Sequence, residues 1–185
     1  MWMTPLKIEI LTCPLLVAAA VALSGPAIAA AENLPKPRIV TVATKQPTRA
    51  LETEMLPARR YYAFWNTGDE HYAIDALAQD FIDLNLPEGR PQGPQGPLVA
   101  SRGFREAVPD LELTVEHAWI DGDQIISQLH FSGHFTGHFQ RRAGDGRSIA
   151  FDAVDIYTIR DGRIASNWHL EDNLSLLKQF GIVAP

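Results

Sequence analysis

FDAVDIYTIRDGRIASNWHLED, residues 151–172, is typical of two antiparallel strands joined by a tight turn. Apolar and polar residues alternate on both sides of Asp161-Gly162, and Asp-Gly favours a two-residue hairpin turn. With such a turn Asp155 pairs with Trp168, and cross-strand partners lie on the same face of a sheet. The same register places Asp172 on that face. The hairpin is therefore predicted to present two carboxylates and an indole among apolar side chains, which is the composition of a small-molecule pocket.

The rest of the back half continues the strand pattern. Alternating residues and a further turn signal predict four antiparallel strands, near residues 110–120, 123–139, 147–160 and 163–171. A final helix follows and ends at Gly181. The front half instead carries apolar residues at helical spacing, together with a long Pro- and Gly-rich loop at 87–97. Helices first and a strand meander afterwards predict an α+β domain whose helices cover one face of a curved antiparallel sheet.

Three segments are predicted along the chain. Residues 1–31 are typical of a secretory signal peptide, because the apolar run at 15–23 is followed by a helix-breaking Ser-Gly-Pro and small residues suited to cleavage. Residues 32–48 contain three prolines and no sustained periodicity, which predicts a flexible tether. Residues 49–185 are predicted to form the folded domain. The protein is therefore expected to be exported, to the periplasm or the medium, after the signal peptide is cleaved.

The charge and cysteine content exclude several classes of protein. The chain has 22 acidic and 16 basic residues, a net charge of −6, and no basic run, so no nucleic-acid partner is expected. No stretch approaches the roughly 20 apolar residues that span a bilayer, so no stable membrane association is expected. The single cysteine, Cys13, lies in the signal segment. Disulfides and thiolate chemistry are thus excluded from the mature chain.

Three histidines, His130, His134 and His138, fall four residues apart on a predicted strand and so share a face. Such spacing puts successive side chains about 13 Å apart, whereas a shared zinc ion needs each ring nitrogen at about 2 Å. We therefore expect no metal site. His130 and His134 are better treated as single acid/base candidates.

Four segments of the domain form a recognisable set. Three of them are YAFWNTGD at 62–69, VPDL at 108–111 and DIYTIRDGRI at 155–164. The fourth, WHLEDNLSLLKQFG at 168–181, is the most specific, with a Trp, an Asp four residues later and a helix that ends in Gly. With these segments the chain resembles the SnoaL-like polyketide cyclase and ester cyclase group of the NTF2-like superfamily. The resemblance implies a cone, in which N-terminal helices and a curved sheet surround one pocket.

The resemblance also implies a reaction. In this group an aspartate removes an acidic C–H proton from an ester-bearing polyketide, which closes a ring by an intramolecular aldol reaction without a cofactor. Asp172 is the matching aspartate, and burial among apolar side chains raises the pKa of such a carboxyl toward that of a general base. The middle strand departs from the family pattern: residues 133–137 read GHFTG, which moves the imidazole of His134 to the opposite face, and Gln128 stands where an arginine is common.

The turn at 121–123 leaves the orientation of the middle strand open. A two-residue loop pairs Leu113 with His130 and places His130 and Gln128 among apolar groups. A three-residue loop pairs Thr114 with His130 and leaves both residues on a polar face. A slip of one residue reverses every side chain of a strand, so both alternatives stay open at the level of the sequence.

The candidate site follows from these arguments. Asp172, His130 and His134 are its predicted acid/base residues, and Asn85 and Tyr62 are placed at the rim of the pocket. The predicted substrate-binding residues are Trp168, Gln128, Asp155, Asn85 and Tyr62.

We expect an exported, cofactor-free enzyme that acts by acid/base chemistry, as a cyclase, isomerase or hydrolase, on a small hydrophobic carbonyl or ester compound. One alternative is a noncatalytic small-molecule-binding module, which would lack a desolvated carboxylate beside a cavity. Another is epoxide hydrolysis, which would need an Arg or Asn between two aspartates. The outer face of such a sheet is exposed and apolar, which predicts a homodimer.

Overall fold

The structure, a computed structural model, describes residues 33–43 and 48–184. The predicted signal peptide at residues 1–31 lies outside the described residues and stays a prediction. Among the described helices, none is both long and apolar enough to cross a bilayer.

The described chain has two helices at its front. Helix α1, Thr48–Thr67, continues through Pro57 without a break. Helix α2, Glu70–Ala76, begins after Asp69, whose side chain accepts a hydrogen bond from the His71 amide at 3.0 Å. The helix begins at this point because Asp at the N-cap satisfies a free amide of the first turn.

Six strands form the main sheet, in the order β1-β3-β4-β7-β8-β2. They are β1 (Ile39–Val42), β2 (Leu77–Asp83), β3 (Glu112–Asp121), β4 (Gln124–Phe135), β7 (Arg147–Arg160) and β8 (Arg163–Glu171). The four central strands are antiparallel, as predicted, while β1 and β2 join the two edges in parallel.

The remaining elements close the ends of the sheet. Helix α3, Gln95–Ala107, precedes β3, and helix α4, Asn173–Gln179, follows β8. Two short strands, β5 (His138–Phe139) and β6 (Arg142–Ala143), form a separate hairpin after β4. The helices and the inner face of the sheet share one apolar core, in which the largest fully buried side chains include Tyr62, Phe64, Leu129, Tyr157 and Phe180. The α+β prediction is thereby confirmed.

The predicted tether at 32–48 is wrong for its described part. Residues 39–42, which read IVTV, form β1 on the edge of the sheet, because this short β-branched run can pair with the open edge of β3. Leu34 is buried, and the Arg59 guanidinium donates hydrogen bonds to the carbonyls of Leu34 and Pro35 at 2.9 and 3.0 Å. The residues around these prolines are packed against α1 and are not a free linker.

The hairpin between β7 and β8 contains a β-bulge. Ile159 pairs with Ile164, but Thr158 pairs with Ser166, so Ala165 is the extra residue. From this point the register is shifted by one, and each β8 side chain beyond the bulge lies on the face opposite to the predicted one.

The hairpin between β3 and β4 matches neither predicted loop. Asp121 pairs with Gln124 around a two-residue turn, and a bulge at Glu116 then shifts the register so that Thr114 pairs with His130. The resulting pairing is the one that the three-residue loop was expected to produce. It turns His130 away from the core.

The backbone at Gly137, between β4 and β5, passes close to the end of α3. This close approach can be tested by substitution. A Cβ atom on Gly137 would lie 1.8 Å from the Glu106 carbonyl oxygen, whereas one on Gly103 would meet nothing within 4 Å. We expect Gly137→Ala to lower the free energy of unfolding by about 2 kcal/mol or more. Gly103→Ala, in the middle of α3, should raise it by up to about 1 kcal/mol. Urea denaturation of both variants measures the difference, and equal stability of the Gly137 variant and the parent would contradict the close approach.

Candidate functional site

A cavity of about 600 Å³ lies between the inner face of the sheet and the helices. Its volume suits a small molecule. Seven aromatic side chains contribute to its wall, and polar side chains from β7 and β8 form one side. The wall includes Tyr61, Trp65, Phe81, Phe104, Phe131, Phe139, Phe151, Asp155, Asn167, His169 and Glu171.

Asp155 is the most deeply buried carboxylate of this wall, with 2% of its surface exposed. Its Oδ1 accepts hydrogen bonds from Asn167 Nδ2 at 2.8 Å and from His169 Nδ1 at 2.7 Å. Its Oδ2 accepts one from the Tyr157 hydroxyl at 2.6 Å. The three donors hold this carboxylate in one orientation and occupy both of its oxygens. Asp155 is therefore suited to orient His169 and is poorly placed to remove a proton from a ligand.

His169 lies between two carboxylates. Its Nδ1 faces Asp155, and its Nε2 lies 3.4 Å from Glu171 Oε2. Burial alone would lower the pKa of this imidazole, but the charge of Asp155 and the hydrogen bond to it, together with a contribution from Glu171, raise the pKa of His169 to about 10. His169 is thus an imidazolium at neutral pH, and the long contact at Nε2 leaves that N–H available to a ligand in the cavity.

Two further side chains complete the polar wall. Burial and the charge of Asp155 raise the pKa of the Tyr61 hydroxyl far above its ordinary value, so Tyr61 stays a neutral donor. Asp83 of β2, which is 9% exposed, lies 3.8 Å from Arg90 Nη1, and both residues line the cavity. The cavity wall therefore combines carboxylates with groups that can donate a proton or a hydrogen bond, Tyr61 and His169 among them.

The bulge at Ala165 determines which β8 residues reach this wall. Asn167, His169 and Glu171 lie on the cavity side, whereas the predicted register placed Trp168 and Asp172 there. His169 and Glu171 were missed for this reason. The signal that could have found them is the pair Ile164-Ala165, two consecutive apolar residues that are both buried and that break the alternation.

The prediction that Asp172 is the general base is wrong on geometry. Asp172 is the N-cap of α4, where its Oδ1 accepts a hydrogen bond from the Ser175 amide at 3.0 Å, and it does not line the cavity. Hydrogen bonds from Ser175 hold the pKa of Asp172 below its ordinary value, which is the opposite of the shift a general base needs. Trp168, predicted to bind substrate, is turned away from the cavity by the same change of register.

The predicted residues of the middle strand also lie outside the cavity. His130 Nδ1 is 2.7 Å from Asp152, and His134 Nδ1 is 2.6 Å from Asp110, both at the surface. Gln128 is exposed on the outer face of the sheet. The even-numbered residues of β4 face away from the core along the whole strand, because Thr114 pairs with His130, as in the polar-face alternative that the sequence left open.

The other predicted residues have mixed outcomes. Tyr62 is fully buried beneath the cavity wall, with its hydroxyl 2.5 Å from Ser127 Oγ, so its assignment to the rim is wrong, and its neighbour Tyr61 lines the cavity instead. Asn85 does not line the cavity but donates a hydrogen bond to the His169 carbonyl at 2.7 Å, which helps to position that residue. Asp155 lies in the cavity wall, where the sequence placed it.

Within residues 33–43 and 48–184, no group of three His, Cys, Asp or Glu side chains is arranged to hold a metal ion.

The chain is similar to proteins of one family. A family model described as SnoaL-like polyketide cyclase matches residues 56–180. A crystal structure of a Bacillus cereus protein assigned as a polyketide cyclase shares 35% identity at a TM-score of 0.74, and the match covers 83% of this chain and 97% of that one. TsrD from Streptomyces laurentii shares 26% identity at a TM-score of 0.63, over 75% and 100% of the two chains.

A more distant structure supports the fold alone. A Catenulispora acidiphila protein with a ketosteroid isomerase-like fold shares 16% identity at a TM-score of 0.55, over 70% of this chain and 97% of that one. No curated protein sequence is significantly similar to the chain.

The raised pKa of His169 predicts a characteristic dependence of stability on pH. The pKa rises from an ordinary 6.5 to about 10 on folding, so the stabilisation is fully present below pH 6.5 and is lost as the pH rises toward 10. Across this window the free energy of unfolding of the parent should fall relative to that of His169→Gln, with a slope that approaches about 1.4 kcal/mol per pH unit. Urea denaturation of both proteins at several pH values measures the difference. Parallel pH profiles would show that His169 is not held as an imidazolium.

Proposed function

The chain belongs to the SnoaL-like polyketide cyclase family, and we propose that it catalyses proton transfer on a small hydrophobic carbonyl or ester compound, as in an aldol-type ring closure. The observation that carries the proposal is the His169 imidazolium between Asp155 and Glu171 at the wall of an aromatic cavity. Burying such charges costs free energy unless each one is paired. A noncatalytic binding module needs no buried group of Asp155, His169 and Glu171. The presence of this group therefore favours an enzyme over a binding module.

Glu171 is the proposed general base. Its side chain lines the cavity and, unlike Asp155, does not have both oxygens occupied by short hydrogen bonds. A carboxylate in this position can remove a proton from a carbon next to the substrate carbonyl. The electron pair of the broken C–H bond moves onto the carbonyl oxygen and forms an enolate.

His169 is the proposed acid. Its Nε2–H can donate a hydrogen bond to the enolate oxygen as negative charge develops, and preorganised donors of this kind supply a large part of many enzymes' rate enhancement. The Tyr61 hydroxyl lines the same cavity and can act as a second donor. When the enolate carbon attacks a second carbonyl of the same molecule, the new alkoxide takes the proton from Nε2.

The pair can then return to its starting state without an external proton donor. After ring closure Glu171 is protonated and His169 is neutral at Nε2. These atoms are 3.4 Å apart before reaction, so the proton can pass from Glu171 to Nε2. Asp155 keeps the Nδ1 proton throughout and so determines which nitrogen takes part.

Hydrolysis is a second candidate, and one observation favours it. Asp155 and Asp83 both line the cavity, Asn167 donates a hydrogen bond to Asp155, and Asn167 is also the strand partner of Asp83. An amide between two aspartates is the arrangement expected for holding an attacking water in an epoxide hydrolase. Incorporation of heavy oxygen from labelled water into the product would identify this reaction, whereas an aldol closure incorporates none.

Two expectations from the sequence stay predictions. Export is supported by the apolar run at residues 15–23 and the small residues after it, and the N-terminal sequence of protein recovered from the periplasm or medium tests it. A homodimer is supported by Trp119, Val154 and Leu170, which are exposed apolar side chains of the sheet. Light scattering of the purified protein tests the oligomeric state.

Hydrogen exchange at carbon tests the proposed function without knowledge of the natural substrate. Aromatic ketones and ketoesters are incubated with the protein in heavy water, and deuterium incorporation next to the carbonyl is followed by NMR. We expect Glu171→Gln and His169→Gln to slow exchange by about 100-fold or more, in the range of general acid–base effects. The matched control is Asp172→Asn, which keeps the cap of α4, lies outside the cavity and should exchange at the parent rate.

Two outcomes would contradict the proposal. Exchange that persists in Glu171→Gln would place the base elsewhere. Binding of the ketones without exchange by the parent protein would favour the binding module.

A further inference from the structure

The Arg90 guanidinium is a charged group of the cavity wall that the proposed reaction does not use. Its Nη1 lies 3.8 Å from Asp83 Oδ2, which is too long for a hydrogen bond. Among the described residues, none accepts a hydrogen bond from this side chain. A guanidinium carries five N–H donors and no acceptor, so Arg90 presents unused donors and a positive charge to a ligand in the cavity.

These donors are not sealed inside the protein. The Arg90 side chain is 26% exposed. The buried side-chain atoms that lack a partner in the described chain belong to Arg105 and Asn167, so every Arg90 nitrogen stays accessible. Burial is the main cause that raises the pKa of the Tyr61 hydroxyl, and the charge of Arg90 acts against that rise. Arg90 therefore lies close to the Tyr61 side of the cavity and can be reached by a ligand.

The loop that carries Arg90 is held in place by the edge of the sheet. The Gln92 side chain accepts a hydrogen bond from the Asp83 amide at 2.7 Å and donates one to the Asp83 carbonyl at 3.0 Å. The Arg90 amide donates to the Pro87 carbonyl at 3.2 Å. The aliphatic part of Arg90 lies beside Gly96, where a Cβ atom would be 3.5 Å from Arg90 Cδ. The guanidinium is thus positioned before a ligand binds, as a specificity group requires.

An anion bound by Arg90 has to be compatible with the acidic residues of the wall. A guanidinium has more than one edge that can bind an oxygen pair, so the neighbouring Asp83 does not exclude a second carboxylate. Asp155 has both oxygens occupied by donors, and Glu106 is exposed. Glu171 lies four residues along β8 from the strand partner of Asp83, which corresponds to about 13 Å. The proposed base is therefore well separated from an anion at Arg90.

The chemistry of the guanidinium indicates which acceptor it takes. Its fork matches the two oxygens of a carboxylate, and such bidentate pairs are among the strong hydrogen-bonded contacts of proteins. An ester lacks the charge and the second equivalent oxygen. The strand register also gives a distance, because His169 lies two residues beyond the strand partner of Asp83, roughly 6.5 Å along β8. A spacer of a few carbon atoms between a carboxylate and a ketone spans this distance.

We propose that Arg90 is a specificity residue that binds a carboxylate of the ligand through two parallel N–H···O hydrogen bonds. The favoured ligand is a hydrophobic keto acid, and not the ester that the family resemblance implied. The assignment rests on the proposed function for the ketone that faces His169. It predicts that the cavity binds a keto acid more tightly than its methyl ester, in which one oxygen is methylated and the charge is lost.

A matched pair of probes tests this assignment. The probes are a naphthyl keto acid, whose ketone and carboxylate are joined by a trimethylene spacer, and its methyl ester, and affinity is measured by fluorescence titration of the full chain at neutral pH. The parent should bind the acid at least about tenfold more tightly than the ester, and Arg90→Gln should bind both with similar affinity. Arg90→Lys keeps the charge without the fork. It should retain only part of the preference, and it replaces the glutamine variant if that variant does not fold.

Arg102→Gln is the matched control. Arg102 belongs to α3, pairs with Glu70 at 2.6 Å and does not line the cavity, so its replacement removes the same charge without touching the site. If Arg90 acted only through the overall charge of the protein, both variants would lower the preference alike. If Arg90 only held its loop in place, Arg90→Gln would weaken acid and ester together and leave their ratio unchanged.

Three outcomes would overturn the assignment: a parent protein without preference for the acid, a preference that Arg90→Gln retains, or one that Arg102→Gln loses to the same extent. The measurement uses binding alone, whereas the deuterium experiment uses compounds without a free carboxylate. A failure of the assignment therefore leaves the exchange result intact, and a protein that prefers the acid but exchanges no deuterium would contradict only the proposed function.

Discussion

The buried Asp155 carboxylate is the constraint on which the site depends. Its charge is tolerated in the core only because Tyr157, Asn167 and His169 donate to it. Each of those residues acquires a defined state in return: the tyrosine remains a donor, the amide has one orientation, and the imidazole carries a proton. The Asp155 carboxylate thus holds three side chains in defined orientations before a ligand binds. It does so on two adjacent strands, where the hairpin holds the four residues in register.

The fold could be predicted from the sequence to a large extent because its signals are local. Alternation of apolar residues, their helical spacing in the front half and the Asp-Gly turns each act over a few residues, and the four central strands and the helices follow from them. The strand β1 was missed because its pairing with β3 is a contact between distant segments. Three prolines nearby masked a short β-branched run.

The site could be predicted less well because it depends on register. Asp155 belongs to β7, which carries no extra residue in this hairpin, and was placed on the correct face, whereas every β8 residue beyond Ala165 was assigned to the wrong one. Because of this single extra residue, His169 and Glu171 line the cavity where Trp168 and Asp172 were predicted. The bulge itself is a tertiary feature, because Ile164 and Ala165 are both buried by elements that the hairpin sequence does not contain. The acidic residue that the family resemblance pointed to is a helix cap in this chain.

The parallel edge strand β1 has a consequence for how the chain can be shortened. The natural place to cut, judged from the sequence, is residue 49, immediately before the first helix. A chain cut there would lack β1, so the amides and carbonyls of β3 would be open along one side and free to recruit a strand from another molecule. Arg59 would lose both of its carbonyl acceptors at the same time. The short segment ahead of the helices therefore covers the edge of β3, and a shortened chain keeps both sets of contacts only if it begins before Leu34.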